Sequence, residues 1–217
     1  TAAVLLGDYL ISHAFHLCSS LPHTHASRRI GAITNIVCEG ELMQNCRRGD
    51  LGLTERDYLE IVKRKTAVLT AVSCELGAHL AGADSRVIKS MYVFGEQAGI
   101  AFQIVDDVLD LIGDAGVIGK TLGRDLAQGK LTLPFIHAFK HAGGPTRALL
   151  ADALSGASAS NPSDVAEALQ ASGSIDYAVS AAKKHVQVAL EQLEPLPAGD
   201  ARQSLVCLAE FIVGRAF

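Results

Sequence analysis

The chain has 217 residues, of which 49% are hydrophobic and 19% charged, with a formal net charge of −4. That is enough apolar material for the core of one large domain, and the slightly acidic balance does not favour a nucleic-acid surface. No apolar run approaches the ~20 residues of a spanning helix, so no transmembrane segment is expected; aromatics are only 5% and Trp is absent, so the core has to be aliphatic and Ala-rich.

Helical periodicity runs through the chain in order. Residues 2–21 carry Val4, Leu5, Tyr9, Leu10, Ala14, Phe15 and Leu17 at helical spacing, and Pro22 with the His-Thr-His after it ends the segment. The pattern is already under way at Ala2 without a cap, and the first residue is Thr, so a start inside a longer protein is expected. No signal peptide is visible. A second helix is expected over 26–47, with Ile30, Ile33, Val37, Glu41 and Gln44 along it. Gly49, Asp50 and Gly52 then mark a turn.

Thr54, followed three residues later by Asp57, resembles a capping box and opens one long helix over 55–80. Asp84 is the N-cap of the next helix, which ends near Gly113. Residues 113–129 hold Gly113, Gly116, Gly119, Gly123 and Gly129 among Asp114, Lys120, Arg124 and Asp125, and read as a charged loop with one helical turn at its end. Pro134 sits in the first turn of a further helix, which Gly143, Gly144 and Pro145 break. A short helix over 148–154 follows, then one capped by Asn161 with Pro162 at its first position. Helices over 175–193 and 200–214 complete the chain, separated by Pro195 and Pro197. Strand-like alternation and internal repeats are absent, so the fold class is all-α, in a single domain.

The cysteines Cys18, Cys38, Cys46, Cys74 and Cys207 are odd in number and form no C-x-x-C. In helical apolar contexts they are expected to be reduced, buried thiols of a cytosolic protein. His13, His16, His23 and His25, and the pairs Arg28-Arg29 and Arg47-Arg48, carry no assigned chemistry.

The chemistry points to residues 102–110, Phe-Gln-Ile-Val-Asp-Asp-Val-Leu-Asp. Helical spacing puts Gln103, Asp106, Asp107 and Asp110 on one face. Ile100, Phe102, Ile104, Val105, Val108, Leu109 and Leu111 around them indicate a largely buried helix. Buried like charges are costly; either they go neutral or a cation sits on the face. Lys120 and Lys130 follow at once in a glycine-rich loop whose backbone can approach an anion, which favours the cation. Oxygen ligands at this spacing suit Mg²⁺, which bridges one or two carboxylates to phosphate oxygens rather than filling a protein cage. Lys65 and Thr66 form another cation–hydroxyl pair able to meet phosphate.

Residues 99–110 and 119–134, with Gly119-Lys120 and then Gly-Lys-Leu-Thr-Leu-Pro at 129–134, are similar to the second aspartate-rich motif and following loop of the trans-polyprenyl diphosphate synthases. The segments 3–10, 39–44, 58–67 and the tail from 172 to 215 agree, so the resemblance covers the whole chain. It implies an isoprenoid synthase-type helical bundle and a head-to-tail prenyl transfer, in which an allylic diphosphate ionises with Mg²⁺ and isopentenyl diphosphate attacks the cation. Asp106, Asp107, Lys65 and Lys120 would be catalytic. Asp106 would be the direct metal ligand of its motif, with Asp107 and Asp110 binding metal directly or through water. Lys65, Lys120 and Lys130 would hold the allylic diphosphate, with Thr66, Gln103 and Gln44 lining the same pocket. Asp125 would orient metal-bound water or Lys120. The resemblance also implies a homodimer, or a heteromer, in the cytoplasm; organelle targeting stays open.

The family's first aspartate-rich motif, and the basic residues near it that bind isopentenyl diphosphate, have no counterpart in this sequence. Residues 1–217 are therefore expected to be a partial synthase domain without the N-terminal helices that carry that motif. This leaves open a non-catalytic partner or regulatory subunit of a prenyl synthase. A class I terpene cyclase is a further reading, against which the Gly119-Lys120 and Gly129-Lys130 loop argues.

Overall fold

The turn signals of the sequence become helix ends. The computed structural model describes residues 2–21, 24–113, 123–155 and 161–215. Its helices are α1 (Ala2–Ser19), α2 (His25–Cys46), α3 (Glu55–Val62), a π-helical turn (Lys63–Ala67), α4 (Val68–Leu80), α5 (Ser85–Ile112), α6 (Arg124–Ala127), α7 (Leu133–His141), α8 (Gly144–Ser155), α9 (Pro162–Ala171), α10 (Ser174–Glu191) and α11 (Asp200–Gly214). The described residues contain no strand, so the fold is all-α as expected.

Side chains close several helix starts. The Thr54 hydroxyl accepts from the Asp57 N–H at 3.2 Å and the Asp57 carboxylate accepts from the Thr54 N–H at 3.2 Å, completing the capping box. Asp84 accepts from the N–H groups of Arg86 and Val87, and Asn161 from Ser163. Each such cap satisfies a donor that the helix leaves unpaired and is worth about 1 kcal/mol.

The core is built around α5. Phe94, Ile104, Val105 and Val108 of this helix are fully buried, between α4 on one side and α10 on the other. Glycine lets the π turn (Ala67) and α4 (Ala71) come close. A Cβ at Gly99 would lie 2.7 Å from Ala67 Cα, and one at Gly95 2.7 Å from Ala71 Cα. The Thr70 hydroxyl uses this proximity to donate to the Gly95 carbonyl at 2.8 Å.

The expected long helix over 55–80 is interrupted. Residues Lys63–Ala67 take a π turn, which accommodates an extra residue between α3 and α4. On its other flank a Cβ at Gly40 of α2 would lie 2.7 Å from the Lys65 nitrogen. The turn is thus held between two helices whose backbones approach it through glycine. The helix expected over 148–154 also begins earlier, at Gly144, because Pro145 is preset for a first helical turn. Gly143 and Pro145 therefore both end α7 and start α8.

Two other expectations are corrected. Phe102 is 40% exposed, with the Arg215 guanidinium 4.4 Å from its ring centre; the apolar stripe of α5 passes beside it. No cysteine is buried: Cys38, Cys46 and Cys207 are exposed, Cys18 and Cys74 half-buried, and all are free thiols. Helix α1 has no buried residue, and among the described elements it touches only α2. No described helix is long and apolar enough to cross a membrane.

Candidate functional site

The acidic face of α5 divides on folding. Asp107 turns inward and is 5% exposed. Its carboxylate accepts from the Tyr58 hydroxyl of α3 at 2.6 Å and from the Gln103 amide at 2.8 Å. Burial pushes its pKa up to about 7, against the hydrogen bond from Tyr58, which lowers it. The same burial, and then the Asp107 charge, drive the Tyr58 hydroxyl well above its ordinary range. Among the described residues, the hydrogen bonds to Asp107 come from two neutral donors, which favour its charged form while burial opposes it.

Asp110, one helical turn from Asp106, faces the chain after α5. Its carboxylate accepts from the N–H groups of Arg124 at 3.3 Å and Asp125 at 3.0 Å, and so caps α6 from outside. Its carbonyl accepts from the Gly123 N–H at 2.8 Å. Burial raises its carboxyl, and these N–H groups partly offset the rise. Gly123, at φ 72°, supplies the left-handed turn that brings the chain back to α5. Asp106 is half-buried on the same helix.

The π turn delivers Lys65 and Thr66. The Thr66 hydroxyl donates to the Gln103 side-chain oxygen at 2.8 Å, so Thr66, Gln103, Asp107 and Tyr58 form one hydrogen-bonded chain across three helical segments. Lys65 Nζ donates to the Gln44 side-chain oxygen at 2.6 Å and pairs with Glu41 Oε2 at 2.7 Å, both on α2. The hydrogen bond from Lys65 holds the Glu41 carboxyl below the usual range. Lys130 Nζ pairs with Asp125 Oδ1 at 3.2 Å, and its N–H donates to the Asp125 carbonyl at 2.9 Å. Lys65 and Lys130 are thereby pre-aimed, each with ammonium protons to spare.

These groups surround a small cavity of about 40 Å³. It brings together Gln44, Lys65, Thr66, Gln103, Asp107, Asp125 and Lys130, seven of the residues expected from sequence. Ile61 and Val62 give it an apolar wall, and Tyr58 and Thr132 complete the lining. Asp106 and Asp110 do not line it. Lys120 lies outside the described residues.

Glu41, Tyr58 and Thr132 join the site without a role foreseen from sequence. All three sit in segments that carry the family resemblance, but nothing in a lone Tyr reveals a carboxylate partner 49 positions away. Glu41 had a readable signal: it lies three residues before Gln44 on one helix face.

The described residues contain no group of three His, Cys, Asp or Glu able to hold a metal ion by themselves. What α5 offers is two carboxylates one turn apart, Asp106 and Asp110. Such a pair fits a hard cation that keeps waters and takes its other ligands from phosphate. Asp107, buried and already accepting two hydrogen bonds, fits a supporting place behind them.

The polyprenyl synthetase family model matches residues 1–172. The octaprenyl diphosphate synthase of Haemophilus influenzae is 34% identical over 217 residues, covering 100% of this chain and 66% of that protein. Heptaprenyl diphosphate synthase component 2 of Bacillus subtilis is 33% identical over 215 residues, covering 99% and 61%. The crystal structure of a polyprenyl synthase from Caulobacter crescentus, complexed with calcium and isoprenyl diphosphate, superposes with a TM-score of 0.94 at 32% identity, covering 100% of this chain and 66% of that one. The chain thus spans 61–66% of the length of these proteins. With the helical fold and the convergent lysine–carboxylate site, the match over most of its residues shows that the chain belongs to the polyprenyl synthetase family.

Proposed function

We propose that this protein is a prenyltransferase that condenses isopentenyl diphosphate with an allylic diphosphate in isoprenoid biosynthesis. The observation that carries the reading is the convergence of Lys65, Thr66, Gln103 and Lys130 on one cavity beside the acidic face of α5. Heterolysis of the allylic carbon–oxygen bond places negative charge on the leaving diphosphate. Lys65 and Lys130 stabilise that charge more in the transition state than in the ground state. Lys120 is a further ligand of the same diphosphate in this reading. Gln44 fixes the Lys65 ammonium, and Thr66 and Gln103 tie the π turn to α5. Ile61 and Val62 keep water from the reacting carbon. The new carbon–carbon bond forms from the double bond of isopentenyl diphosphate, and a proton leaves.

Mg²⁺ supplies further neutralisation of the leaving diphosphate when bound. Asp106 and Asp110 are the residues that would hold it, with Asp107 behind them. The Caulobacter synthase, crystallised as a complex with calcium and isoprenyl diphosphate, supports such a site.

A dimer in the cytoplasm belongs to the same reading. The Bacillus relative, named as component 2 of its synthase, supports a second form in which the subunit works with a different partner.

The test is incubation of the full-length protein with isopentenyl diphosphate, allylic primers of increasing length and Mg²⁺, followed by product sizing. Wild type should extend at least one primer. Asp106→Ala should lower turnover by about 10³-fold, and Lys65→Ala should raise the KM for the primer. No product from any primer, or near-normal turnover in Asp106→Ala, would overturn the assignment.

A further inference from the structure

Thr132 is in the wrong state for its position. It is the N-cap of α7, where a threonine hydroxyl ordinarily accepts from the N–H of the second or third helical residue. Pro134, the second residue of α7, has no N–H to offer, and the Thr132 side chain makes no cap hydrogen bond to the third. It lines the cavity of the candidate site instead. The residue is 5% exposed, and among the described residues its Oγ1 has no hydrogen-bond partner. A buried hydroxyl in that condition is costly and calls for an explanation.

The surrounding groups show what is missing. Asp107 accepts from Tyr58 and Gln103, Asp125 accepts from Lys130, and the Gln44 oxygen accepts from Lys65. Each of these acceptors already takes a hydrogen bond from another group, and none takes one from Thr132. A hydroxyl donor remains over, in company with two ammonium groups. The cavity, about 40 Å³, is too small for a whole diphosphate but has room for an oxygen-sized group entering from its mouth.

We propose that Thr132 is a further binding residue of this site, its hydroxyl donating to a phosphoryl oxygen of the diphosphate held by Lys65 and Lys130. The inference rests on the diphosphate-site reading above. Lys130 and Thr132 act as a pair: two residues apart, they present a charge and a directed donor to the same anion. Among the described residues no group takes up this hydroxyl, which leaves it available to ligand.

The test uses inorganic diphosphate with Mg²⁺ as probe, measured by calorimetry together with thermal melting of the ligand-free protein. Thr132→Val keeps the shape and removes the hydroxyl. Its affinity for the probe should fall about tenfold, while its melting temperature stays equal to wild type or rises, since an unpaired buried hydroxyl is gone. Thr132→Ser, which keeps the hydroxyl, should bind as wild type does. Unchanged affinity in Thr132→Val would overturn the proposal; with Lys65→Ala losing binding in parallel, the diphosphate site itself would stand. A lowered melting temperature with unchanged affinity would assign the hydroxyl to a structural water instead. Equal loss of affinity in both Thr132 variants would mean that packing, not the hydroxyl, matters. Absence of binding by wild type would overturn this inference and the diphosphate-site reading together.

Discussion

α1 and α5 carry the same kind of apolar helical pattern and meet opposite fates. In α5, eleven residues are buried, from Met91 to Val108. In α1, none is, and Val4, Leu5, Leu6 and Leu10 are each more than half exposed. The difference is not composition but what each helix is packed against. α5 lies between α4 and α10, and glycines let α4 reach its backbone. α1 rests on α2 alone among the described elements. Hydrophobic stabilisation scales with area removed from water, so the same leucine has different worth in the two places.

The strongest way to break this contrast is to push the π turn, and α4 with it, away from α5. Gly99→Ala would set a Cβ 2.7 Å from Ala67 Cα. Backbone must then move, and the expected loss is about 2–3 kcal/mol despite the better helix propensity of Ala. Chemical denaturation measures it. The same variant should weaken diphosphate binding, because Ala67 closes the π turn that aims Lys65 and Thr66. A variant as stable as wild type would mean that the close approach is not a constraint.

A smaller effect is expected on the other side of α5. His185 of α10 has its Nδ1 2.6 Å from the Gln97 side-chain oxygen, and burial lowers its pKa below the ordinary 6.5. The folded state disfavours the charged ring, whereas the unfolded chain protonates at about its ordinary pKa. Stability from this group is therefore present above pH 6.5 and declines as pH falls through the unfolded value towards the lower folded one. His185→Gln keeps a donor for Gln97 and does not titrate. Its stability should fall less between about pH 7 and pH 5 than that of wild type. Parallel curves would show that the ring does not sense the α5–α10 contact.

The smallest effect belongs to α1. Leu10 is 57% exposed, and Leu10→Ser should change stability by no more than about 0.5 kcal/mol. A loss well beyond that would show that α1 is covered in solution, and the contrast with α5 would then be one of partners rather than of burial.

Most helix positions were legible, because caps and breakers act over a few residues: Thr54 with Asp57, Asp84, Asn161 with Pro162. The π turn was not, since no local signal separates Lys-Arg-Lys-Thr from ordinary helix; it shows only where Gly40 and Gly99 bring α2 and α5 against it. The site was legible as residue types. Gln44, Lys65, Thr66, Gln103, Asp107 and Lys130 do meet at one cavity. How each behaves there was not. Asp107 goes inward to Tyr58 while Asp110 caps α6, although both lie on one nominal face.

By itself, then, the sequence determined an all-α chain, most helix ends, the family and most of the groups around the cavity, because periodicity, capping and motif order are local properties. Only the tertiary structure decided which carboxylate is desolvated, which carboxylate clasps Lys65, why Thr132 is left without a partner among the described residues, and which of two apolar helices is buried. Those depend on what stands opposite each residue, and spacing along the chain does not carry that information.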